Sequence, residues 1–219
     1  MEDRIILIDK PAGWSSFQVV AKVRGALKAE FQHKVKVGHT GTLDPFATGL
    51  LILLSGKYTK KSNEFLKLDK EYVTKIKLGY VSDTGDTEGD IKKVNDRNVK
   101  IDEIEAVLQK FTGVVEQRPP KFSAIKINGQ RAYKLARKGV EFETPSRQVE
   151  IYELEILEYK YPYLTLKCHV SSGTYIRTLA EDIGEALGVG AYCEELRRTK
   201  IGDYSVESAL KVEDFALQP

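Results

Sequence analysis

Long apolar runs and clustered cysteines are both missing from this sequence. The longest uninterrupted apolar stretch is the five residues Leu50 to Leu54, which is too short to cross a membrane, and the charged start, residues 1–4, lacks the layout of a signal peptide. The two cysteines, Cys168 and Cys193, stand far apart, which supports neither a disulfide framework nor a zinc site. We therefore expect a cytoplasmic protein with no membrane contact, in which both thiols are reduced and buried.

Metal-ligand spacing is missing as well. The three histidines, His33, His39 and His169, are too widely separated to form a recognisable ligand set. Three carboxylates lie close together between Asp83 and Glu88, but this segment lacks the distal bidentate glutamate of a calcium-binding EF-hand. The sequence predicts no metal ion, and it contains no cofactor motif.

The composition is that of an ordinary globular chain whose positive charge is concentrated in one segment. The 219 residues are 42% hydrophobic and 30% charged, enough for one sizeable core, and the net charge of +2 is small for a domain that coats nucleic acid. From Arg118 to Gly139, however, no acidic residue occurs. Such a segment attracts phosphates, although a merely solvated excursion is the alternative. Its cations are Arg118, Lys121, Lys126, Arg131, Lys134, Arg137 and Lys138.

Periodicity predicts a mixed, largely antiparallel sheet flanked by helices, an α+β fold. Alternating residues predict a strand from Tyr72 to Leu78 and a long hairpin from Val149 to Val170. Shorter apolar runs predict strands at Ile5 to Ile8 and Leu50 to Leu54. Helical stripes follow Ser15-Ser16, Asp102 and Arg177. The segment from Ile125 to Gly129 ends in the Asn-Gly signal of a type I′ hairpin.

The loop that ends at Asp44-Pro45 is the segment around which we expect the chain to be organised. Pro45 fixes its own φ and biases Asp44 toward an extended conformation, so the carboxylate is presented from a stiff loop. Taken alone, an Asp-Pro pair more often only caps a turn. The whole string Gly38-His39-Thr40-Gly41-Thr42-Leu43-Asp44-Pro45, followed by Ala47, Gly49 and Leu50, resembles the catalytic motif of the TruB family, tRNA pseudouridine synthases that act in the T arm.

Further blocks carry this resemblance from Asp9 to about Gly202, nearly the entire chain. They are Asp9-Lys10-Pro11-Ala12-Gly13-Trp14-Ser15-Ser16, Lys70-Glu71-Tyr72, Asp83-Thr84-Gly85-Asp86-Thr87-Glu88-Gly89, Pro119-Pro120-Lys121-Phe122-Ser123-Ala124-Ile125-Lys126, Gly173-Thr174-Tyr175-Ile176-Arg177 and Leu196-Arg197-Arg198-Thr199. The departure is at the C-terminus, because many relatives continue into a small RNA-binding domain that this chain is expected to lack.

The resemblance implies a pseudouridine-synthase fold in one catalytic domain, residues 1–219, with a basic thumb insertion at residues 116–145. It implies that the protein isomerises a T-loop uridine at position 55 of tRNA to pseudouridine, as a monomer without cofactor or metal. The implied catalytic residues are Asp44, Tyr72 and Arg177, with Arg177 paired to Asp44. The implied substrate-binding residues are His39, Tyr175, Leu196, Lys60, Lys121, Lys126, Arg131 and Arg137.

Without the family, several of these residues have plainer interpretations. Tyr72 would be a packing residue at a strand end, and Lys60 part of a solvated face. Arg177 opposes the helix dipole and so calls for an anionic partner. Two alternative functions are a non-catalytic RNA-binding or RNA-folding module and a glycosidase, which normally needs two facing carboxylates, with Asp86 a weak second to Asp44. Whether Asp44 attacks the sugar or removes a sugar proton is open.

Overall fold

The computed structural model describes residues 2–215, and the chain divides into two compact units. Unit 1 comprises Met1–Tyr72 and Arg197–Pro219, and unit 2 comprises Val73–Leu196. The prediction of a single catalytic domain over residues 1–219 stays a prediction. None of the helices within residues 2–215 has the length and apolar character needed to span a membrane.

Strands dominate the described part of the chain. They are β1 (Ile5–Lys10), β2 (Val37–His39), β3 (Thr48–Ser55), β4 (Lys70–Leu78), β5 (Tyr80–Ser82), β6 (Ile91–Lys93), β7 (Gly113–Gln117), β8 (Lys126–Ile127), β9 (Gln130–Arg131), β10 (Arg147–Lys160), β11 (Tyr163–Val170), β12 (Ala191–Ile201), β13 (Tyr204–Ser205) and β14 (Leu210–Lys211). The helices are α1 (Ser16–Phe31), α2 (Ser62–Leu66), α3 (Ile101–Phe111), α4 (Ala132–Ala136), α5 (Ile176–Ala186) and α6 (Val212–Phe215), with 3-10 turns at Gly56–Lys61 and Val206–Ser208.

In unit 1 the sheet is built around β3. This strand pairs antiparallel with β1 and β2 and parallel with the C-terminal part of β12, and β14 pairs parallel with β1. Both faces of β3 are covered, which is why its sequence is an apolar run rather than an alternation. One face packs against α1 and the other against Phe65 and Ile201. The strand predicted at Leu50 to Leu54 is confirmed.

Helix α1 begins at the serine pair, Ser15 and Ser16, that precedes its predicted apolar stripe. Ser15 is the N-cap: its hydroxyl accepts the Gln18 N–H at 3.2 Å, and the Gln18 side chain accepts the Ser15 N–H at 2.7 Å. This reciprocal pair is a capping box. Ser16 is instead buried and serves the Asp44 loop. The apolar stripe predicted for α1 packs against β1 and β3.

In unit 2 the strands follow the order β4, β11, β10 and β7, and both β11 and β7 are antiparallel to β10. The predicted alternation of β4 is confirmed, since its even-numbered residues from Lys70 to Leu78 are buried. Helix α3 packs against β10 and α5. Cys168 and Cys193 are both free and buried, as expected.

The basic segment, residues 116–145, contains the predicted hairpin. Strands β8 and β9 pair antiparallel across Asn128 and Gly129, whose φ values of 47° and 82° are those that a type I′ turn requires. Helix α4 follows directly, and the Ala132 N–H donates to the Ile125 carbonyl at 2.9 Å. We call residues 116–145 the thumb segment.

Candidate active site

The Asp44 loop connects β2 to β3 in unit 1, and it is fastened on the α1 side by Ser16. The Ser16 hydroxyl accepts the Leu43 N–H at 2.8 Å and donates to the Leu43 carbonyl at 2.9 Å. Both backbone groups of the residue before Asp44 are therefore occupied, and the Leu43 side chain is itself buried. These two hydrogen bonds fix the backbone immediately before Asp44.

Lys10 fastens the same loop on its other side. Its side chain is completely buried, and its ammonium donates to the carbonyls of Pro11 at 2.8 Å, Trp14 at 2.7 Å and Pro45 at 3.1 Å. The Gly13 N–H donates to the same Pro45 carbonyl at 2.8 Å. Asp44 thus lies between two residues whose backbones are held by buried donors. The Asp9 to Ser16 block, which resembles the start of the family, supplies this anchor.

Arg198, on β12, also binds the backbone of the Asp44 loop. It is 2% exposed, and its guanidinium donates to the carbonyls of Leu50 at 2.8 Å, Gly41 at 3.3 Å and Thr42 at 3.5 Å. Gly49 has a φ of 103°, and a Cβ there would lie 2.3 Å from the Arg198 carbonyl oxygen. Glycine is therefore required where β3 and β12 meet. Arg198 is therefore a buried charge and not a surface one.

The charge of Arg198 also acts on its titratable neighbours. Burial lowers the pKa of His39 from its ordinary 6.5, and the nearby Arg198 lowers it further, so the imidazole is neutral at pH 7. Burial likewise lowers the pKa of Lys70 to about 8, with a second contribution from Arg198 and an opposing one from Asp69. The Lys70 ammonium donates to the carbonyls of Leu66, at 2.8 Å, and Leu68.

Two more predicted site residues lie in unit 1. Tyr72 is buried on β4, on the strand face that its alternation predicted. Lys60 is exposed in the 3-10 turn Gly56–Lys61, where neighbouring Lys61 lies over the Tyr58 ring at 5.1 Å. The sheet therefore positions Tyr72, and a basic surface turn positions Lys60. The sequence did not predict that this turn is helical.

Arg177 is buried and bound by several groups within unit 2. It lies in the first turn of α5, 3% exposed, and its Nη1 atom lies 3.0 Å from Asp86 Oδ2. The same Nη1 atom donates to the Thr84 carbonyl at 2.8 Å, and Nη2 donates to the Phe122 carbonyl at 2.8 Å. The anionic partner that the helix-dipole argument required is present. The pairing of Arg177 with Asp44 stays a prediction.

Asp86 is the buried partner of Arg177, a role that its sequence context does not indicate. Besides Arg177, its Oδ1 atom accepts the Thr84 hydroxyl at 2.6 Å and the Glu88 N–H at 2.9 Å. A carboxylate 2% exposed and engaged by three donors supports the Asp83 to Gly89 turn and Arg177. It is not an accessible second acid, so the arrangement that a glycosidase needs is not offered by Asp86. The pairing has no signal in the sequence, because the two residues are far apart along the chain.

The same cluster contains a second acid with a perturbed titration. Burial raises the pKa of Glu181 to about 7; Arg177 opposes this shift, whereas Asp182 and Asp86 add to it. Burial also raises the pKa of Asp182 to about 6, with a further contribution from Glu185. Part of α5 therefore carries acids that are protonated below neutral pH.

Tyr175 and the base of the thumb segment are joined by one side chain. The Gln117 amide accepts the Tyr175 N–H at 2.7 Å and donates to the Tyr175 carbonyl at 3.0 Å, and the Arg147 guanidinium lies 5.0 Å from the Tyr175 ring centroid. The N-terminus of α5 is thereby fixed to β7. Leu196, on β12, is buried at the end of unit 2.

The cations predicted to contact phosphate are exposed on the thumb segment. Arg118 lies 3.7 Å from Glu143, Arg131 donates to the Ala124 carbonyl, and Arg137 stacks over Tyr133 at 5.7 Å. The exposed set comprises Arg118, Lys121, Lys126, Arg131, Lys134, Arg137 and Lys138. Among residues 2–215, no group of three or more His, Cys, Asp and Glu side chains is arranged to hold a metal ion.

Two family models match this chain. One is described as TruB family pseudouridylate synthase (N terminal domain) and matches residues 27–176; the other, the tRNA pseudouridylate synthase B C-terminal domain, matches residues 177–218. Curated relatives named tRNA pseudouridine synthase B agree. The Phocaeicola vulgatus protein is 44% identical over 98% of this chain and 92% of its own length, and the Pseudomonas putida protein is 47% identical over 96% of this chain and 68% of its own length.

Solved structures give the same fold. A chain from "Crystal Structure of a Cbf5-Nop10-Gar1 Complex" matches with a TM-score of 0.74 and 32% identity, over 98% of this chain and 54% of that one. A chain from an H/ACA RNP bound to a substrate RNA containing 2′-deoxyuridine matches with a TM-score of 0.72 and 30% identity, over 98% of this chain and 52% of that one. This chain thus spans about half the length of those solved chains. The predicted fold is confirmed, and the chain belongs to the TruB family of pseudouridylate synthases, enzymes that isomerise uridine to pseudouridine.

Proposed function

We propose that this chain isomerises the T-loop uridine at position 55 of tRNA and that Asp44 is its essential carboxylate. The observation that carries the proposal is the Asp44 loop itself, in which Ser16, Lys10 and Arg198 bind the backbone around the aspartate. A group that must react at one atom of a bound nucleotide requires such positioning. Family membership and the names of the relatives support tRNA pseudouridylation as the reaction.

The reaction needs no redox partner, because it is an isomerisation. The bond between N1 and C1′ breaks, the uracil rotates, and a bond between C5 and C1′ forms; C5 loses a proton and N1 gains one. Asp44 acts in its ionised form, either as a nucleophile at the sugar or as the base that removes a sugar proton. Both routes remain compatible with a carboxylate held on a rigid loop.

The target base must leave the stacked RNA loop before Asp44 can act on its sugar. We assign Tyr72 as the aromatic wall and Leu196 as the apolar floor for the flipped uracil, with Tyr175 as a further substrate contact. His39 is suited to hydrogen-bond the base or its sugar, because burial lowers its pKa and leaves it uncharged at pH 7. A neutral imidazole can donate from one nitrogen and accept at the other.

Arg177 is assigned as the residue that orients Asp44 and favours its ionised form. Its contacts to Asp86, Thr84 and Phe122 support this role, because they hold both terminal nitrogens of the guanidinium before any substrate binds. The thumb segment and Lys60 are assigned to the phosphates of the T arm. We propose a monomer acting in the cytoplasm.

The test is an incubation of the protein with an unmodified tRNA transcript in buffer that contains a chelator, followed by mapping of pseudouridine. We expect modification at position 55 and none in a transcript with cytidine there. Asp44→Asn should reduce the rate by a factor of at least about 100 while leaving RNA affinity near that of wild type. Asp203→Asn, an exposed aspartate outside the loop, is the matched control.

A non-catalytic RNA-binding module would give a different result. It would bind the transcript with similar affinity and leave every uridine unchanged, with or without Asp44→Asn. Near-native modification by Asp44→Asn would instead contradict the assigned carboxylate while leaving the substrate intact.

A further inference from the structure

A basic groove lies on unit 1, between α1 and the segment that leads into β2. It has a volume of about 660 Å³ and is lined by Ala21, Arg24, Gly25 and Lys28 on one wall and by residues 34–37 on the other. Half of the lining residues are exposed cations, and within residues 2–215 none of these pairs with a carboxylate. They are Arg24, Lys28, Lys34 and Lys36. A concave surface with four unneutralised positive charges is suited to a polyanion.

Gly25, in the α1 wall of this groove, is an unusual residue for the interior of a helix. It lies inside α1, where glycine is less favourable than alanine, and its φ is not in the left-handed region. An added Cβ would meet no atom within 4 Å apart from the backbone of its own helix. Neither packing nor backbone conformation therefore requires glycine here. A remaining physical reason is the close approach of another molecule's backbone.

An exposed aromatic ring beside the groove favours nucleic acid over other polyanions. Phe17, in the first turn of α1, is 65% exposed, and the Arg24 guanidinium lies 5.9 Å from its ring centroid. Aromatic rings flanked by cations are the usual means of stacking unpaired bases while binding their phosphates. An acidic protein segment would use the cations but would not need this ring.

The groove is also within reach of RNA held at the Asp44 loop. Ser16, which binds Leu43, starts the helix whose residues 24 and 28 line the groove. At 1.5 Å per residue these positions lie roughly 12 to 18 Å along α1 from Ser16, a distance of about four or five base-pair steps. One bound RNA molecule can therefore occupy both places.

We propose that this groove, which we call the α1 groove, binds the phosphate backbone of the tRNA substrate as a contact separate from the thumb segment. The cations bind phosphates, Gly25 admits the backbone closely, and Phe17 stacks on a base. The inference rests on the proposed function, since it takes tRNA as the ligand.

The first test replaces the four cations with glutamine and measures tRNA binding across a salt series. Each lost phosphate contact reduces the slope of log K against log salt by about 0.7 to 0.9, so loss of all four contacts should flatten the slope by roughly 3 to 3.5. The matched control replaces four exposed lysines on other elements, Lys92, Lys110, Lys160 and Lys211, and should leave the slope near that of wild type. An unchanged slope in the groove variant, or equal flattening in the control, would overturn the proposal.

The second test is Gly25→Ala, which separates stability from binding. Alanine should raise the melting temperature by about 2 to 4 °C, because it is the better helix former and has room for its methyl group. The dissociation constant for tRNA should nevertheless rise at least about threefold, and an unchanged constant would refute close approach at Gly25.

Single-turnover pseudouridine formation at saturating enzyme distinguishes this inference from the proposed function. The groove variants should retain the wild-type rate there, since none of these residues belongs to the Asp44 loop. If wild type itself forms no pseudouridine, the proposed function fails while the binding results still decide whether the groove holds RNA.

Discussion

The titration of Glu181 allows a stringent test of the buried cluster at the start of α5. Burial raises the pKa of this carboxyl from 4.5 to about 7, against the opposing charge of Arg177. Its Oε1 atom lies 2.8 Å from where a Cβ on Gly85 would stand, so the side chain packs closely on the turn that contains Asp86. The perturbation we propose is Glu181→Gln, which keeps the shape and removes the titration.

The sign of the effect follows from proton binding. Between pH 4.5 and about 7 the folded chain holds a proton on Glu181 that the unfolded chain releases, so stability falls as the pH rises through this interval. A difference of about 2.5 pH units corresponds to about 3 kcal/mol in the free energy of unfolding. Asp182 acts in the same direction, but only up to its pKa of about 6. From pH 6 to 7 Glu181 is therefore the main contributor of the two.

Urea unfolding of wild type and variant from pH 5 to pH 8 measures the contribution of Glu181 to the free energy of unfolding. The stability of Glu181→Gln relative to wild type should grow by about 2 to 3 kcal/mol across that range, and part of the growth should fall between pH 6 and 7. Glu105→Gln, at an exposed position on α3, is the control and should parallel wild type. Parallel curves for Glu181→Gln would refute the argument that burial holds this carboxyl protonated.

Three further predictions follow from the same structure. Asp86→Asn should lower the free energy of unfolding by about 3 to 5 kcal/mol in urea, because it leaves the buried Arg177 charge without its partner, whereas exposed Asp83→Asn should cost far less. Arg198→Met should raise the pKa of His39, measured by NMR titration, and slow pseudouridine formation; an unchanged pKa would contradict the assigned charge effect. A thumb-segment variant should flatten the salt dependence of tRNA binding more than it slows single turnover, and an unchanged slope would reduce the segment to a solvated face. Its glutamine substitutions are at Lys121, Lys126, Arg131, Lys134 and Lys138.

Local patterns predicted the elements that present the candidate residues. The apolar run of β3, the alternation of β4 and the Asn128-Gly129 turn are each encoded by neighbours in sequence, and each is present. The sequence placed the start of α1 at the Ser15-Ser16 pair, and the capping box with Gln18 shows that Ser15 is the N-cap. The motif around Asp44 was sufficient to identify the family, because several of its residues have fixed structural tasks.

Long-range contacts were beyond the reach of the sequence. Nothing near Arg198 indicates that it bonds carbonyls about 150 residues away. Strand β12, which carries it, was not predicted, because charged residues from Glu194 to Arg198 obscure its alternation. The burial of Asp86 against Arg177 was not predicted either. A charged residue is usually exposed, and only a partner distant in sequence makes its burial possible.

Three buried cations stabilise loops of the candidate site in the same way. Lys10 and Arg198 bind the Asp44 loop, and Arg177 binds the backbone at Thr84 and Phe122. Each is a buried cation that donates to backbone carbonyls of loop residues, which an apolar side chain of the same volume cannot do. Burying such charges is costly unless they are hydrogen-bonded, so each cation is compatible with few loop conformations. Removing one should therefore loosen its loop more than it weakens RNA binding. A fall in single-turnover rate with affinity retained is the signature expected of Lys10→Met and Arg198→Met, and the reverse pattern would assign these residues to the substrate instead.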